Sequence, residues 1–351
     1  MKLLLAAGLG WAVTKAVFAA IWSALTAPLR GPRGATTISR HAGLTAARTL
    51  FGTATVDQIL YVLPPDSPHK NFIARAKRKG TLPKTVELPD GTTAFWLGNP
   101  NAERLIVYYP GGAYCFPALN GHIEYVNSLT MGLQDAGIDI GVLFLIYDLA
   151  TQAPYPRQLE QAMAILRYAI ETLGKHPSKI VLHGDSAGGH LILSALSHLA
   201  HPHPQIPMLS LSESLAGAVL LSPWMIDSCT DYKSYERNKY RDSISLKDLV
   251  SWAPFFLGDA EPDSYNQPAV APEGWWRDLP AKKIFITAGE HEILLDSTLE
   301  TANKIQGEHP NAVMNVALGE YHAQAITSFE LGIKPGEQYK TIMTWLKEVL
   351  V

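Results

Sequence analysis

The stretch 180–190, Ile-Val-Leu-His-Gly-Asp-Ser-Ala-Gly-Gly-His, limits what this chain can fold into more than any other. It opens on a short apolar run, 180–182, of the kind that forms a buried strand. It closes into Leu-Ile-Leu-Ser-Ala-Leu, 191–196, which reads as a helix. Between them Gly184-Asp185-Ser186-Ala187-Gly188 matches G-x-S-x-G in the strand–turn–helix context that pattern requires. The turn is tight. A side chain at 184 or 188 would collide with neighbouring backbone, and Ser186 is driven into a strained φ/ψ region that lifts its hydroxyl above the sheet edge. The helix that starts there aims N–H groups at any anion formed. Ser186 is the candidate nucleophile; the plainer reading is a Gly-rich turn.

The flanking pattern says what kind of sheet carries this turn. Residues 86–96 read as a β-hairpin around Pro-Asp-Gly. Apolar strands are expected at 104–109, 138–147, 179–182, 216–221, 283–288 and 313–318. Helices are expected near 123–137 and over 158–173, 187–199, 296–305 and 337–350. Alternating strands and helices predict an α/β fold with a mostly parallel, twisted sheet flanked by helices. Residues 224–280 break the alternation. They are rich in Trp, Tyr, Pro and charge with one expected helix, 245–257, and read as an insertion after the sixth strand that contributes to a lid. With 351 residues, 47% of them hydrophobic and 17% charged, the chain has ample material for a core. A formal net charge of −3 implies no nucleic-acid partner. Cys115 and Cys229 make no disulfide framework and read as free thiols.

Three units follow: an N-terminal hydrophobic segment 1–30, a linker and cap segment 31–83, and a main α/β domain 84–351 with the lid insertion. Residues 3–29 are apolar enough to cross a bilayer, interrupted by Lys15, Gly8 and Gly10. A membrane-embedded anchor, a cleaved secretory signal and a helix packed on the domain are the competing readings. Membrane association is the expectation for the first and secretion for the second. Residues 41–80 read as helical, with a basic end at 75–79.

A serine hydroxyl needs a base, and a histidine base needs an acid to fix its tautomer. His322 lies in the loop after the last strand. Glu290, Glu292 and Asp296 all lie in the loop after the strand at 283–288. Glu292 is the first choice because it stands just past the strand end, with Asp296 second, since Asp296 also suits a helix N-cap. Gly111 and Gly112, just after the strand at 104–109, and the N–H of Ala187 are the candidate oxyanion donors. His183 and His291 read as packing or hydrogen-bonding neighbours. His198, His201 and His203 alternate with prolines and read as a surface turn rather than a metal site. Tyr109, Tyr114, Phe116, Trp224, Trp252, Phe255 and Phe256 are candidates to line an apolar pocket or simply to fill the core. No metal or organic cofactor is required by this set.

The chain resembles the hormone-sensitive-lipase family of α/β-hydrolases over roughly 84–350. Gly184-Asp-Ser-Ala-Gly-Gly189 is the family's G-D-S-A-G-G. Tyr147-Asp-Leu-Ala150 with Pro154-Tyr-Pro156 resembles its Y-R-L-A-P-E-x-x-F-P segment. Glu292-Ile-Leu-Leu-Asp296 stands in place of D-P-L-x-D, and Tyr108-Tyr-Pro-Gly-Gly-Ala113 in place of H-G-G-G. The resemblance puts the acid at Glu292, where the family usually has Asp. Pro110 replaces the family's His and Ala113 its third Gly. With the N-terminal hydrophobic segment, the Pro-Gly-Gly loop is similar to the fungal steryl acetyl hydrolase-like branch. That implies a serine carboxylic-ester hydrolase with a helical cap, acting on lipophilic acetate esters such as sterol or secondary-metabolite esters, at the endoplasmic reticulum membrane or in natural-product pathways. An acyltransferase, lactonase or cyclase with the same triad, or a non-catalytic small-molecule-binding protein on the same fold, are the alternatives.

Overall fold

The computed structural model describes residues 1–226 and 231–351. Cys229 lies outside the described residues, whereas Cys115 is a buried free thiol. Among the described residues eight strands form one sheet: β1 (Thr85–Glu87), β2 (Thr93–Gly98), β3 (Arg104–Tyr109), β4 (Ile140–Ile146), β5 (Ile180–Asp185), β6 (Gly217–Leu221), β7 (Ile284–Gly289) and β8 (Ala312–Ala317). Their spatial order is β1-β2-β4-β3-β5-β6-β7-β8, with β1–β2 and β2–β4 antiparallel and the rest parallel. The helices are α1 (Lys2–Thr26), α2 (Ile38–Phe51), α3 (Val56–Val62), α4 (Ser67–Arg78), α5 (Asn120–Gln134), α6 (Arg157–Arg167), α7 (Ala187–Ala200), α8 (Lys233–Asn238), α9 (Leu246–Leu257), α10 (Leu295–Glu308), α11 (Gln324–Glu330) and α12 (Glu337–Val349).

The strand order explains where a site can form. From β3 the chain steps one way to β4, then returns across β3 to reach β5 on its other side. The loops at the carboxyl ends of β3 and β5 therefore diverge and leave a crevice, the usual place for a ligand in a parallel sheet. Both faces of the sheet are covered. Ile180 and Leu182 of β5 join the apolar layer shared with α6 and α7, while Val181 joins the layer shared with α5 and α12. All three are fully buried, and each apolar side chain so placed stabilises the fold by about 1.5–3 kcal/mol.

The insertion between β6 and β7 holds α8 in addition to the expected α9. At six residues, with Tyr235 its one apolar-faced side chain, α8 has too short a pattern to be read from sequence. Likewise α11 stands between His322 and α12, a helix that the sequence reading did not place. The start of α9 carries a reciprocal capping box, Ser245 with Asp248, worth about 1 kcal/mol. Asp296 was expected to cap α10. The cap position is Leu294, and the Asp296 carboxylate accepts the Ser234 N–H (2.8 Å) and pairs with Arg237 (2.9 Å), tying α8 to α10. The histidines expected in a surface turn are not all at the surface. His198 and His203 are buried; His198 accepts the His203 N–H on Nδ1 (3.0 Å) and His201 bonds the Trp275 carbonyl (2.9 Å).

Helix α2 packs at the end of the sheet that bears the crevice. Phe51 of α2 packs on Phe116 and, edge-on, on Trp252 of α9. Arg40 of α2 donates to the Gly319 carbonyl in the loop after β8 (3.1 Å). Among the described residues α1 is the helix long and apolar enough to cross a membrane. It rests on α2 and α3 through a face that buries Ala12, Ala16 and Ser23. Leu4, Trp11, Phe18, Trp22 and Leu25, at near-heptad spacing on the other side, stay exposed.

Candidate active site

Three glycines fix the elbow. Residues 180–185 run as a buried strand into α7, and Ser186 joins them at φ 51°, ψ −117°, a conformation that a side-chain-bearing residue adopts only when its surroundings compel it. The compulsion is visible in the backbone. Ser186 donates its N–H to the Leu221 carbonyl (2.8 Å) and its carbonyl accepts from Trp224 (3.0 Å) and His190 (3.0 Å). A Cβ on Gly184 or Gly188 would run into the Tyr109 carbonyl, and one on Gly111 into the Asp185 carboxylate. The hydroxyl of Ser186 is left partly exposed at the carboxyl end of the sheet.

The loops after β7 and β8 bring two further groups to that hydroxyl. His322 Nε2 lies 2.9 Å from Ser186 Oγ, and His322 Nδ1 lies 3.1 Å from Glu292 Oε2. An ionised carboxylate only accepts, so Nδ1 carries the proton towards Glu292 and Nε2 is free to accept from the serine. Glu292 is fully buried. Its second oxygen, Oε1, accepts from Ser222 Oγ (2.5 Å), Gln338 Nε2 (3.1 Å) and the Gly289 N–H. Glu290 is exposed and accepts from the Gly319 N–H, and Asp296 faces α8, so of the three candidate carboxylates it is Glu292 that meets the imidazole.

The environment makes the imidazole more basic. Burial alone would lower the His322 pKa. The hydrogen bond and charge of Glu292 outweigh it, with smaller contributions from Asp242 and Asp185, so the pKa rises above 6.5. The acid limb of the kcat/KM profile is therefore expected above pH 6.5, because the base must be neutral, and activity is lost as pH falls through that raised value. Ester hydrolysis measured from pH 5 to 9 checks this; a limb below the ordinary histidine value contradicts it.

The loop after β3 departs from the sequence expectation at one point. Gly111 was expected as an oxyanion donor, but its N–H donates to Asp185 Oδ1 (3.1 Å). The reason is the buried carboxylate beside it, which has to be satisfied. Asp185 also accepts from Tyr108 Oη (2.5 Å) and bonds His122 Nε2 (3.3 Å). Burial opposes its ionisation, yet these donors hold its pKa below the usual carboxylate value. Beyond Gly111 the chain turns through positive φ at Gly112, Ala113 and Tyr114. The N–H groups of Gly112, Ala113 and Ala187 have no acceptor among the described residues. Tyr147 braces this turn by donating to the Pro110 carbonyl (2.7 Å), and Ala150 donates to the Tyr114 carbonyl (2.8 Å). That gives the Tyr-Asp-Leu-Ala segment a physical task.

Of the aromatics singled out, Tyr109 turns into the core and donates to the Ala162 carbonyl (3.0 Å), and Phe255 is exposed. Tyr114 stacks on Phe256 at 4.0 Å, and Phe116 meets Trp252 edge-on; all four rings are buried in the core. His183 is a core histidine bonded to Tyr125 (2.7 Å) and the Val219 carbonyl (3.1 Å). Among the described residues no group of three or more His, Cys, Asp or Glu is placed to hold a metal ion.

Sequence reasoning missed Asp185, Ser222, Asp242 and Gln338. Gln338 left a trace: it shares the buried face of α12 with Ile342 and Leu346 at i, i+4 and i+8, a polar residue in an apolar stripe. Ser222 stands at the carboxyl end of β6, where functional groups gather. Asp242, in a charged stretch of the insertion, left none.

A serine raised on an elbow, beside an imidazole and a buried carboxylate at the switch point of this sheet, is the arrangement that a serine hydrolase needs. The family model for the alpha/beta hydrolase fold matches residues 106–326. An acetyl-hydrolase of Streptomyces hygroscopicus is 29% identical over 219 residues, covering 62% of this chain and 67% of the relative. Steryl acetyl hydrolase 1 of Saccharomyces cerevisiae is 24% identical over 208 residues, covering 56% of this chain and 46% of that protein. An esterase from the bacterial hormone-sensitive lipase family superimposes with a TM-score of 0.63 at 23% identity, over 97% of this chain and 98% of that one. The chain belongs to the hormone-sensitive-lipase family of α/β-hydrolases. It is a carboxylic ester hydrolase.

Proposed function

We propose that the chain removes short acyl groups, acetate foremost, from lipophilic alcohols, with Ser186, His322 and Glu292 as its triad. The observation that carries the triad is the continuous relay Ser186 Oγ–His322 Nε2 (2.9 Å) and His322 Nδ1–Glu292 Oε2 (3.1 Å). Ser186 Oγ attacks the ester carbonyl as His322 takes its proton. The N–H groups of Gly112, Ala113 and Ala187 receive the oxyanion. As the tetrahedral species collapses, the C–O bond to the alcohol breaks and His322 gives its proton to that oxygen. A water, deprotonated by the same imidazole, then attacks the acyl-enzyme, and its collapse releases the acid and returns the proton to Ser186.

The preference for acetate rests on similarity to two acetyl-hydrolases, and that for a lipophilic alcohol on the steryl acetyl hydrolase among them. The exposed apolar face of α1 supports a place at a membrane, where such substrates partition. One preparation tests both. Membranes from expressing cells are extracted with alkaline carbonate, and pellet and supernatant are assayed on p-nitrophenyl esters from acetate to palmitate. Activity that stays in the pellet and peaks at acetate is expected. Full release overturns embedding in the membrane, and activity confined to long chains overturns the deacetylase reading.

A further inference from the structure

We propose that Asp242 is a positioning residue for this reaction: one carboxylate from the insertion holds the backbones of the base and of the acid loop together. Asp242 lies between α8 and α9 and is fully buried. Its Oδ1 accepts the His322 N–H (3.0 Å) and the Ser243 N–H (2.6 Å), and its Oδ2 accepts the Ile293 N–H (2.7 Å). Ile293 follows Glu292, so the two oxygens bridge the residue that carries the imidazole and the residue next to the acid. The same segment grips the acid loop by its other polarity. Asn238 Nδ2 donates to the Glu290 (2.9 Å) and Glu292 (2.8 Å) carbonyls. The segment 238–242 is thus a scaffold for the site, although the insertion as a whole reads as a lid.

The chemistry explains why the bridge is an acid rather than an amide. In each half-reaction the imidazole must meet first the serine or water and then the leaving group, and a displacement near 1 Å costs about a hundredfold. A carboxylate offers an acceptor at each oxygen, whereas an asparagine has one oxygen for the two loops and turns an NH2 against the other amide. The charge matters as well. Glu292 and Tyr321 face Asp242 from the β7 and β8 loops together with His322, and Arg48 of α2 donates to the Asp242 carbonyl. Burial, reinforced by Glu292 and opposed by His322 and the amide donors, raises the carboxyl to about 6. At neutral pH it is therefore a second negative charge near the imidazolium that forms in the transition state.

This proposal rests on the Ser186–His322–Glu292 reading, and the test separates the two. Wild type, Ser186→Ala, Asp242→Asn and Asp242→Glu are assayed on p-nitrophenyl acetate across pH, each checked for native near-ultraviolet circular dichroism. Asp242→Asn is expected to lose roughly tenfold to a hundredfold in kcat with KM changed less than about threefold, and its acid limb should move to lower pH as the negative charge is removed. Asp242→Glu keeps the charge but displaces both loops. It should lose kcat to a similar degree with the acid limb in place, and it carries the test alone if the Asn variant does not fold. Wild-type kcat and an unmoved limb in a folded Asp242→Asn, or wild-type kcat in Asp242→Glu, overturn the positioning role while an inactive Ser186→Ala leaves the triad standing. An active Ser186→Ala removes the triad and this proposal with it.

Discussion

Ser186→Ala is expected to lower kcat/KM for p-nitrophenyl acetate on the order of 10⁵-fold, about 7 kcal/mol of transition-state stabilisation. Its size follows from what the residue joins. The elbow, the base and the acid act as a unit, so removing the nucleophile idles the other two and leaves only binding and the oxyanion donors. Stability should change little. The hydroxyl is partly exposed, and its partner among the described residues is His322. The elbow backbone is held by the Leu221, Trp224 and His190 bonds, which alanine retains. A melting temperature near wild type with the activity gone is the expected pair of results. A variant with both intact would take the serine out of the chemistry.

The second large effect is expected at Glu292. Glu292→Gln should cost about 10³–10⁴-fold in kcat, because an amide NH2 facing His322 Nδ1 forces the proton onto the other ring nitrogen. Then Nε2 no longer accepts from Ser186. The acid limb of the profile should also move down, since the hydrogen bond and charge that raise the His322 pKa are lost. Asp296→Asn provides the contrast. Its carboxylate serves Ser234 and Arg237, partly exposed at the α8–α10 contact, so it should cost about 1 kcal/mol of stability and leave kcat near wild type. The reverse pattern would move the acid to Asp296.

Much of this was legible in the sequence, for physical reasons that also mark where legibility stopped. The strands at 104–109 and 180–182 are apolar runs because a parallel strand is buried on both faces, and such runs need no partner to be recognised. Gly184 and Gly188 flag the elbow because only glycine clears the Tyr109 carbonyl. Glu292 and His322 could be placed because each follows a recognisable strand. What stayed hidden depends on contacts distant in sequence. That Gly111 gives its N–H to Asp185 is a matter of 74 residues of separation, and no local pattern encodes it. Asp242 reaches His322 across 80 residues from a short polar turn, and α8 and α11 are stabilised by what they pack against rather than by their own periodicity.

The central claim is that one hydroxyl carries the acyl group, and mass spectrometry of the trapped intermediate tests it most directly. The protein is mixed with p-nitrophenyl acetate, quenched in acid within the first turnover, digested and mapped. The account predicts one acetyl group, on the peptide containing Ser186, and none in Ser186→Ala. Turnover with no acetylated peptide, or acetyl on a different side chain, would contradict it.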